Sequence, residues 1–126
     1  YTLTNAKFLT DFGSTQDIWG EVSNGDRIPY IPQHQLNSSI SFEANKFELN
    51  LNANCNGKFS TIADGSIEIP SYLIFDISFK YKLRSDIILK SKIINLFDNE
   101  HAVSRAPAGL RPGHPFGIYT GFEYKF

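Results

Sequence analysis

The fold is decided by the stretch Phe116-Gly-Ile-Tyr-Thr-Gly-Phe-Glu-Tyr-Lys-Phe126. Counting back from the end in steps of two gives an uncharged, largely apolar row, namely Phe126, Tyr124, Phe122, Thr120, Ile118 and Phe116. The other row holds both charges and both glycines of the stretch. A period of two indicates a β-strand with one apolar and one polar face. We expect the last strand of a membrane barrel, because a soluble protein rarely leaves such an edge strand uncovered.

The same alternation recurs along the chain and predicts an all-β, antiparallel, up-and-down meander of about six strands. It is clear over residues 36–42, 47–59 and 73–83, and weaker over 86–96. Residues 1–8 also have strand character, but their facing stays open. The apolar rows of the well-patterned strands hold no charge, and a Lys or Arg there would cost about 2–4 kcal/mol at mid-membrane. A half-buried soluble sheet predicts the same pattern, so alternation alone does not decide.

The lengths of the connections favour the membrane barrel. Short turns are expected at residues 43–46 and 82–86, whereas residues 9–33, 60–71 and 97–114 form long connections with Asn-Gly, Asp-Gly and Pro turn signals. Short and long connections in alternation are typical of outer-membrane barrels. The last stretch would span about 33 Å, or roughly 25 Å when tilted by about 40°, which matches the lipid-facing band.

Aromatic residues cluster where that band should end. They lie near the short turns (Phe42, Phe47, Tyr81, Tyr124 and Phe126) and near the long connections (Phe59 and Phe116). This distribution predicts two interfacial girdles. The ordinary preference of aromatic residues for strands accounts for the same distribution.

Composition excludes some classes of protein. The 126 residues carry a formal net charge of -1 and no basic run, so we expect no nucleic-acid partner. No apolar run reaches about 18 residues, which excludes a helical membrane protein but not a barrel. The chain begins at Tyr1 and not at Met, so we expect a processed product or a piece of a longer protein.

Several motifs resemble those of TonB-dependent outer-membrane receptors. Ile93-Ile-Asn-Leu-Phe-Asp-Asn-Glu100 resembles the segment V/I-x-N-L-F-D-x-x-Y near the end of these receptors. Arg105-Ala-Pro-Ala-Gly-Leu-Arg-Pro-Gly-His-Pro115 resembles the Pro-Gly-rich loop that leads into their final strand. Tyr124-Lys-Phe126 matches their terminal aromatic pattern, and residues 26–37 resemble the approach to one of their late strands.

Two departures from the family pattern leave the subfamily open. The family usually has an aromatic residue where this chain has His101, and an Arg where it has Phe116. The Pro-Gly-rich loop looks most like that of ferric citrate and related siderophore receptors.

The resemblance implies that residues 1–126 are the C-terminal part of a 22-stranded transmembrane β-barrel in the bacterial outer membrane. It implies import of ferric chelates or similar nutrients, driven by the TonB complex through a plug domain that this chain does not include. It also implies contact with outer-membrane lipid and with the barrel-assembly machinery, the latter through Phe122, Tyr124 and Phe126. The alternative is a secreted all-β module that holds a ligand in its long loops.

Four residues in or beside the long loops are candidate substrate-binding residues. Arg105 and Arg111 are the stronger pair, because guanidinium groups suit the carboxylates of an anionic chelate. His101 and His114 accompany them. Solvated loop charges are the ordinary alternative. The three histidines are not at ligand spacing, so we expect no metal site.

The polar rows of the predicted strands mix lysines with carboxylates. We expect these residues to form a lattice of ion pairs on the inner wall of the barrel: Glu48, Asp76, Lys80, Lys82, Lys90, Lys92, Glu123 and Lys125. Paired carboxylates can serve acid–base catalysis, but the abundance of lysine favours the lattice. With no phosphate loop and no Gly-x-Ser-x-Gly, we expect no enzyme, no catalytic residue and no cofactor.

Overall fold

The computed structural model describes residues 1–13, 19–106 and 109–126, and its regular structure over these ranges is entirely β. In chain order the strands are β1 (Thr2–Leu3), β2 (Phe12–Gly13), β3 (Glu21–Val22), β4 (His34–Ala44), β5 (Phe47–Asn56), β6 (Phe59–Ser60), β7 (Glu68–Ile69), β8 (Tyr72–Lys82), β9 (Ile87–Ile94), β10 (Ala102–Ser104), β11 (Arg111–Pro112) and β12 (Gly117–Tyr124). Over these same ranges, no helix has the length and apolar character needed to cross a membrane.

Six of these strands form one sheet in the order β1-β4-β5-β8-β9-β12. The pairs β1–β4, β8–β9 and β9–β12 are antiparallel. Each strand therefore lies beside the next long strand in the sequence, as an up-and-down meander requires. The predicted all-β fold of about six strands is confirmed.

The register of the last three long strands places apolar residues beside apolar residues and lysine beside lysine. Leu89 lies opposite Tyr81 on one side and opposite Phe122 on the other. One residue further along, Lys80 lies opposite Lys90. Because side chains alternate between the two faces of a sheet, the apolar and charged rows stay on opposite faces across all three strands.

The first predicted strand is shorter than expected. Residues 1–8 have strand character in the sequence, but β1 pairs with β4 only through Thr2 and Leu3. Further along, Lys7 bridges Arg27 instead, and the Phe8 N–H donates to the Asp26 carbonyl at 2.9 Å. The chain therefore leaves the sheet after β1 because its backbone finds partners in the following loop.

The long connections contain strands that the sequence analysis did not predict. Three two-stranded sheets form there, β2–β3, β6–β7 and β10–β11. The segment 47–59, expected as one strand, ends at Asn56, and the Gly57 N–H donates to the His34 carbonyl at 2.8 Å. Phe59 then starts β6, so the prediction that it belongs to a lipid-facing girdle is wrong.

The chain divides into two compact units. We call Tyr1–Leu36, Cys55–Tyr72 and Glu100–Gly113 the loop unit, and Asn37–Asn54, Leu73–Asn99 and His114–Phe126 the sheet unit. In the loop unit a small apolar core forms from Val22, Phe59, Ala63 and Ile69. Phe59 is 7% exposed, and its ring centroid lies 6.2 Å from that of Tyr30. In the described part of the sheet unit, Asn95 is the only buried residue.

Candidate functional site

The hairpin β10–β11 brings both candidate arginines to one place in the loop unit. Ser104 pairs with Arg111 across the hairpin, and Arg105 is the next residue along the chain. The Arg105 carbonyl accepts a hydrogen bond from the Gly109 N–H at 3.1 Å. Both arginines are exposed, and neither forms a salt bridge with any residue that the structure describes. Residues 107 and 108 of the Pro-Gly-rich loop lie outside the described ranges.

His101 packs at the base of this hairpin. Its ring centroid lies 4.7 Å from that of Tyr72, and its carbonyl accepts the Gly113 N–H at 2.8 Å. The ring also occupies the space of a side chain at position 113, since a Cβ built there would stand 1.9 Å from His101 Nε2. His101 is therefore half-buried against the loop, whereas Arg105 and Arg111 are open to solvent.

Asn95 forms the centre of a hydrogen-bonded cluster in the sheet unit. The residue is 2% exposed and adopts φ +48°, a left-handed conformation that Asn tolerates better than most residues. Its backbone N–H donates to Asp76 Oδ1 at 2.9 Å. Its Nδ2 donates to the carbonyls of His114, at 2.9 Å, and Asn99, at 3.1 Å, while its Oδ1 accepts the Asn99 N–H at 2.9 Å. Every polar group of the buried side chain is satisfied.

Asp98 and Asn99 extend this cluster to the neighbouring strands. Asp98, at φ +49°, accepts the Phe116 N–H on Oδ1 at 2.9 Å. Asn99 Nδ2 donates to the Leu73 carbonyl at 3.1 Å. We call the set Asp76, Asn95, Asp98 and Asn99 the Asn95 clamp, because it joins the end of β9 to the starts of β8 and β12. Of the four candidate binding residues, His114 takes part in it, through its carbonyl.

The polar face of the sheet unit carries two ion pairs. Lys80 Nζ lies 3.0 Å from Glu48 Oε1, and Lys90 contacts Glu123. Lys80 and Lys90 lie opposite each other in the register, an arrangement that is destabilising for like charges. Each lysine pairs instead with a carboxylate on its own outer side, so the expected lattice is present in part.

The other four members of the expected lattice form no ion pair with the described residues. Lys82, Lys92 and Lys125 form no salt bridge with residues in the described ranges. Asp76 binds the Asn95 backbone and not a lysine. Neutral side chains continue the polar face on β4 and β5, where Ser41 donates to Asn50 at 2.5 Å.

The opposite face of the sheet unit exposes its apolar row. Phe122 is 82% exposed and Ile40 66% exposed, and Phe42 and Ile118 are also open. Near the end of the chain, the rings of Tyr124 and Phe126 meet edge to face at 5.2 Å. Nothing in the described part of the unit covers this face.

Within the described ranges, no group of three or more His, Cys, Asp or Glu side chains is placed to hold a metal ion. The arrangement offers exposed cations on a hairpin, a charged sheet face and an apolar sheet face.

Comparisons with known proteins find a likeness in structure only. No model of a protein family matches the sequence, and no curated protein matches it. The chain is similar in structure to the siderophore receptor PiuA from Acinetobacter baumannii, with a TM-score of 0.76 and 17% identity, over 82% of this chain and 15% of that one.

Two further solved structures show the same likeness. One is the ferric-catecholate import receptor Fiu from E. coli K12 in its open form, with a TM-score of 0.68 and 20% identity, over 76% of this chain and 16% of that one. The other is the ferripyoverdine receptor of the outer membrane of Pseudomonas aeruginosa, with a TM-score of 0.64 and 18% identity, over 81% and 15%. The chain thus has the β-sheet fold found in these receptors and spans about a sixth of their length.

Proposed function

We propose that residues 1–126 are the C-terminal barrel segment of a TonB-dependent receptor of the bacterial outer membrane, which imports a ferric chelate or a similar small nutrient. One observation carries the proposal. The sheet unit exposes an uncharged apolar face and buries, among its described residues, only the polar Asn95.

The surrounding solvent decides whether a sheet can leave its apolar face uncovered. In water, a sheet gains stability by burying its apolar face against a second layer, because apolar area removed from water contributes about 25 cal/mol per Å². In a membrane, lipid covers that face, and the sheet satisfies its own backbone groups. The opposite face, with Lys80–Glu48 and Lys90–Glu123, then lines the interior of a barrel.

The substrate class follows from the exposed arginines. Arg105 and Arg111 meet at one hairpin and have no carboxylate partner within the described residues, so they can bind carboxylates of an incoming chelate. Similarity to a siderophore receptor and a ferric-catecholate import receptor supports a ferric chelate as the substrate. In the proposal His101, which packs at the base of the arginine hairpin, and His114 are further candidates for chelate binding, and the chain acts in transport and not in catalysis.

The remaining partners belong to the whole protein. TonB would act through a plug domain that these 126 residues do not contain, in a barrel of 22 strands. The barrel-assembly machinery would recognise the exposed aromatic residues Phe122, Tyr124 and Phe126.

Cell fractionation tests the proposal. The full-length gene would be expressed in a Gram-negative host, and we expect the protein in the outer-membrane fraction, soluble only with detergent. Iron uptake with a panel of ferric chelates should then fall for the double variant Arg105→Gln, Arg111→Gln and stay unchanged for the control Arg84→Gln. Recovery in the soluble periplasm without detergent would contradict the proposal.

A secreted all-β ligand-binding module is the second candidate. The apolar core of the loop unit favours it, because a core of this kind is what water-soluble domains build. This candidate predicts that the 126-residue chain alone is monomeric without detergent and unfolds cooperatively. Aggregation of the isolated chain in buffer would count against it.

A further inference from the structure

The polar face of the sheet unit contains an open recess to which the proposed transport function gives no role. It lies over Gly121 of β12 and encloses about 310 Å³. In the register Gly121 lies opposite Lys90, and Lys90 lies opposite Lys80. Two residues along on the same face, Tyr119 lies opposite Lys92. The recess has the size of a small ligand site, for which about 300–1,000 Å³ is usual.

The strand itself gives no reason for a glycine at position 121. A glycine inside a strand weakens it, and it often marks a bulge, a bend or the close approach of another group. β12 pairs with β9 in unbroken register from Gly117 to Tyr124, so there is no bulge, and φ at Gly121 is not positive. A Cβ built there would meet no atom within 4 Å. What remains is the approach of a group from outside the described residues.

The ring of Tyr119 forms one wall of the recess. A Cβ built at Gly117 would stand 3.4 Å from Tyr119 Cε2, whereas one built at Gly121 would meet nothing. The ring therefore leans toward Gly117 and leaves the space above Gly121 open. Tyr119 is 58% exposed, so its ring is available for stacking by an aromatic group.

The charged side chains that line the recess are all lysines. Lys80 pairs with Glu48, which lies outside the described lining. Lys90 pairs with Glu123, also outside the lining, and uses one of its three N–H donors there. Lys92 forms neither a salt bridge nor a side-chain hydrogen bond with the described residues. The groups with capacity to spare at the recess are therefore ammonium donors.

We propose that this recess binds a small aryl oxyanion, namely a flat aromatic ring that carries a doubly charged group such as phosphate. Lys92 and Lys90 hold the oxyanion, because compact ammonium charges suit phosphate. The ring lies against Tyr119, above the bare backbone of Gly121. The anion also offsets the repulsion between Lys90 and the lysine opposite it, Lys80. The site is separate from the hairpin arginines and does not depend on transport.

Ligand titration tests this inference. The probe is phenyl phosphate, with phenol as the control for the ring and inorganic phosphate as the control for the charge, measured by ligand-observed NMR on the full-length protein in detergent. We expect saturable binding of phenyl phosphate, at least tenfold weaker binding of either control, and a Kd that rises with ionic strength. Inorganic phosphate that binds as tightly as phenyl phosphate would overturn the inference, because the lysines would then act without the recess.

Gly121→Leu should fill the recess without disturbing the fold, because nothing lies within 4 Å of the new Cβ and φ there is not positive. We expect the folded, heat-modifiable band on gels to be retained and the Kd for phenyl phosphate to rise at least tenfold. Lys92→Gln should raise this Kd at least fivefold. The control Lys7→Gln removes an exposed lysine of the loop unit and should leave it unchanged.

Lys92→Gln keeps the test decisive if Gly121→Leu misfolds, because Lys92 is exposed and has no partner among the described residues. An unchanged Kd in Lys92→Gln, or in folded Gly121→Leu, would overturn the inference. An outer-membrane protein with either result overturns this site alone. A soluble protein that binds phenyl phosphate through Lys92 overturns the transport proposal alone.

Discussion

The loop unit and the sheet unit differ in which side chains they bury. In the loop unit Val22, Phe59 and Ile69 are almost inaccessible, whereas the sheet unit buries the amide of Asn95 and leaves Phe122 open. Apolar burial is the main source of stability in water. In a surrounding of lipid, apolar contact with the solvent carries no penalty and polar groups must be satisfied inside the protein. If lipid covers the apolar face of the sheet unit as proposed, the two units are adapted to different solvents, and four sets of variants test this contrast.

The largest effect is expected for Asn95→Leu. The change leaves the His114 and Asn99 carbonyls and the Asn99 N–H without their partner, and it places a Leu at positive φ. We expect a loss of about 3–5 kcal/mol in the free energy of unfolding, measured by urea titration of the full-length protein in detergent. The control Asn52→Leu, on the polar row of β5, should change it by less than about 1 kcal/mol. Equal losses would show that the buried amide has no special role.

The next largest effect is expected for Ile40→Lys in β4. If lipid covers this face, the lysine should cost about 2–4 kcal/mol and reduce the folded, heat-modifiable band on gels of outer membranes. Ser39→Lys places the same side chain one residue away on the polar face and should be tolerated. Tolerance of Ile40→Lys together with failure of Ser39→Lys would reverse the assignment of the faces.

A smaller effect is expected for Ile69→Val in the loop unit. Ile69 is 1% exposed, so removing one methyl group should cost about 0.5–1.5 kcal/mol. Ile67→Val, at a half-exposed position nearby, should cost less. Limited proteolysis of the loops would measure the difference in stability between the two variants. No difference between the two variants would mean that the small core of the loop unit contributes little.

The smallest effect is expected for Glu48→Gln, which removes the partner of Lys80 on the sheet face. Because that pair is open to solvent, its contribution should shrink further as salt is raised. Comparing urea titrations at low and high ionic strength measures this dependence. A loss larger than that of Ile69→Val, and insensitive to salt, would show that the polar face is shielded from water.

The long strands were predictable because the two faces of each strand lie in different surroundings. A period of two over seven or more residues identifies β4, β5 and β8 without any knowledge of their neighbours. The short strands of the loops were not predictable, since two or three residues show no period. Phe59 illustrates the limit: it continues the alternation of β5, but the Gly57–His34 contact ends that strand first.

The candidate sites were predictable to different degrees. The Asn-Leu-Phe-Asp motif was visible in the sequence, yet its role depends on Asp76 and His114, each 19 residues away from Asn95. Arg105 and Arg111 were found from their loop, and the hairpin pairing explains why they meet.

The Asn95 clamp has a consequence for local motion in the sheet unit. The ends of strands normally fray, and their amide hydrogens exchange through openings that cost little free energy. At the end of β9 the clamp ties the chain to the starts of β8 and β12 through side chains as well as backbone. Amide protection should therefore remain high up to residue 95 and be lower at the opposite end of the strand, which begins at Ile87. The clamp would thereby keep the three strands in register while the segments beyond them move.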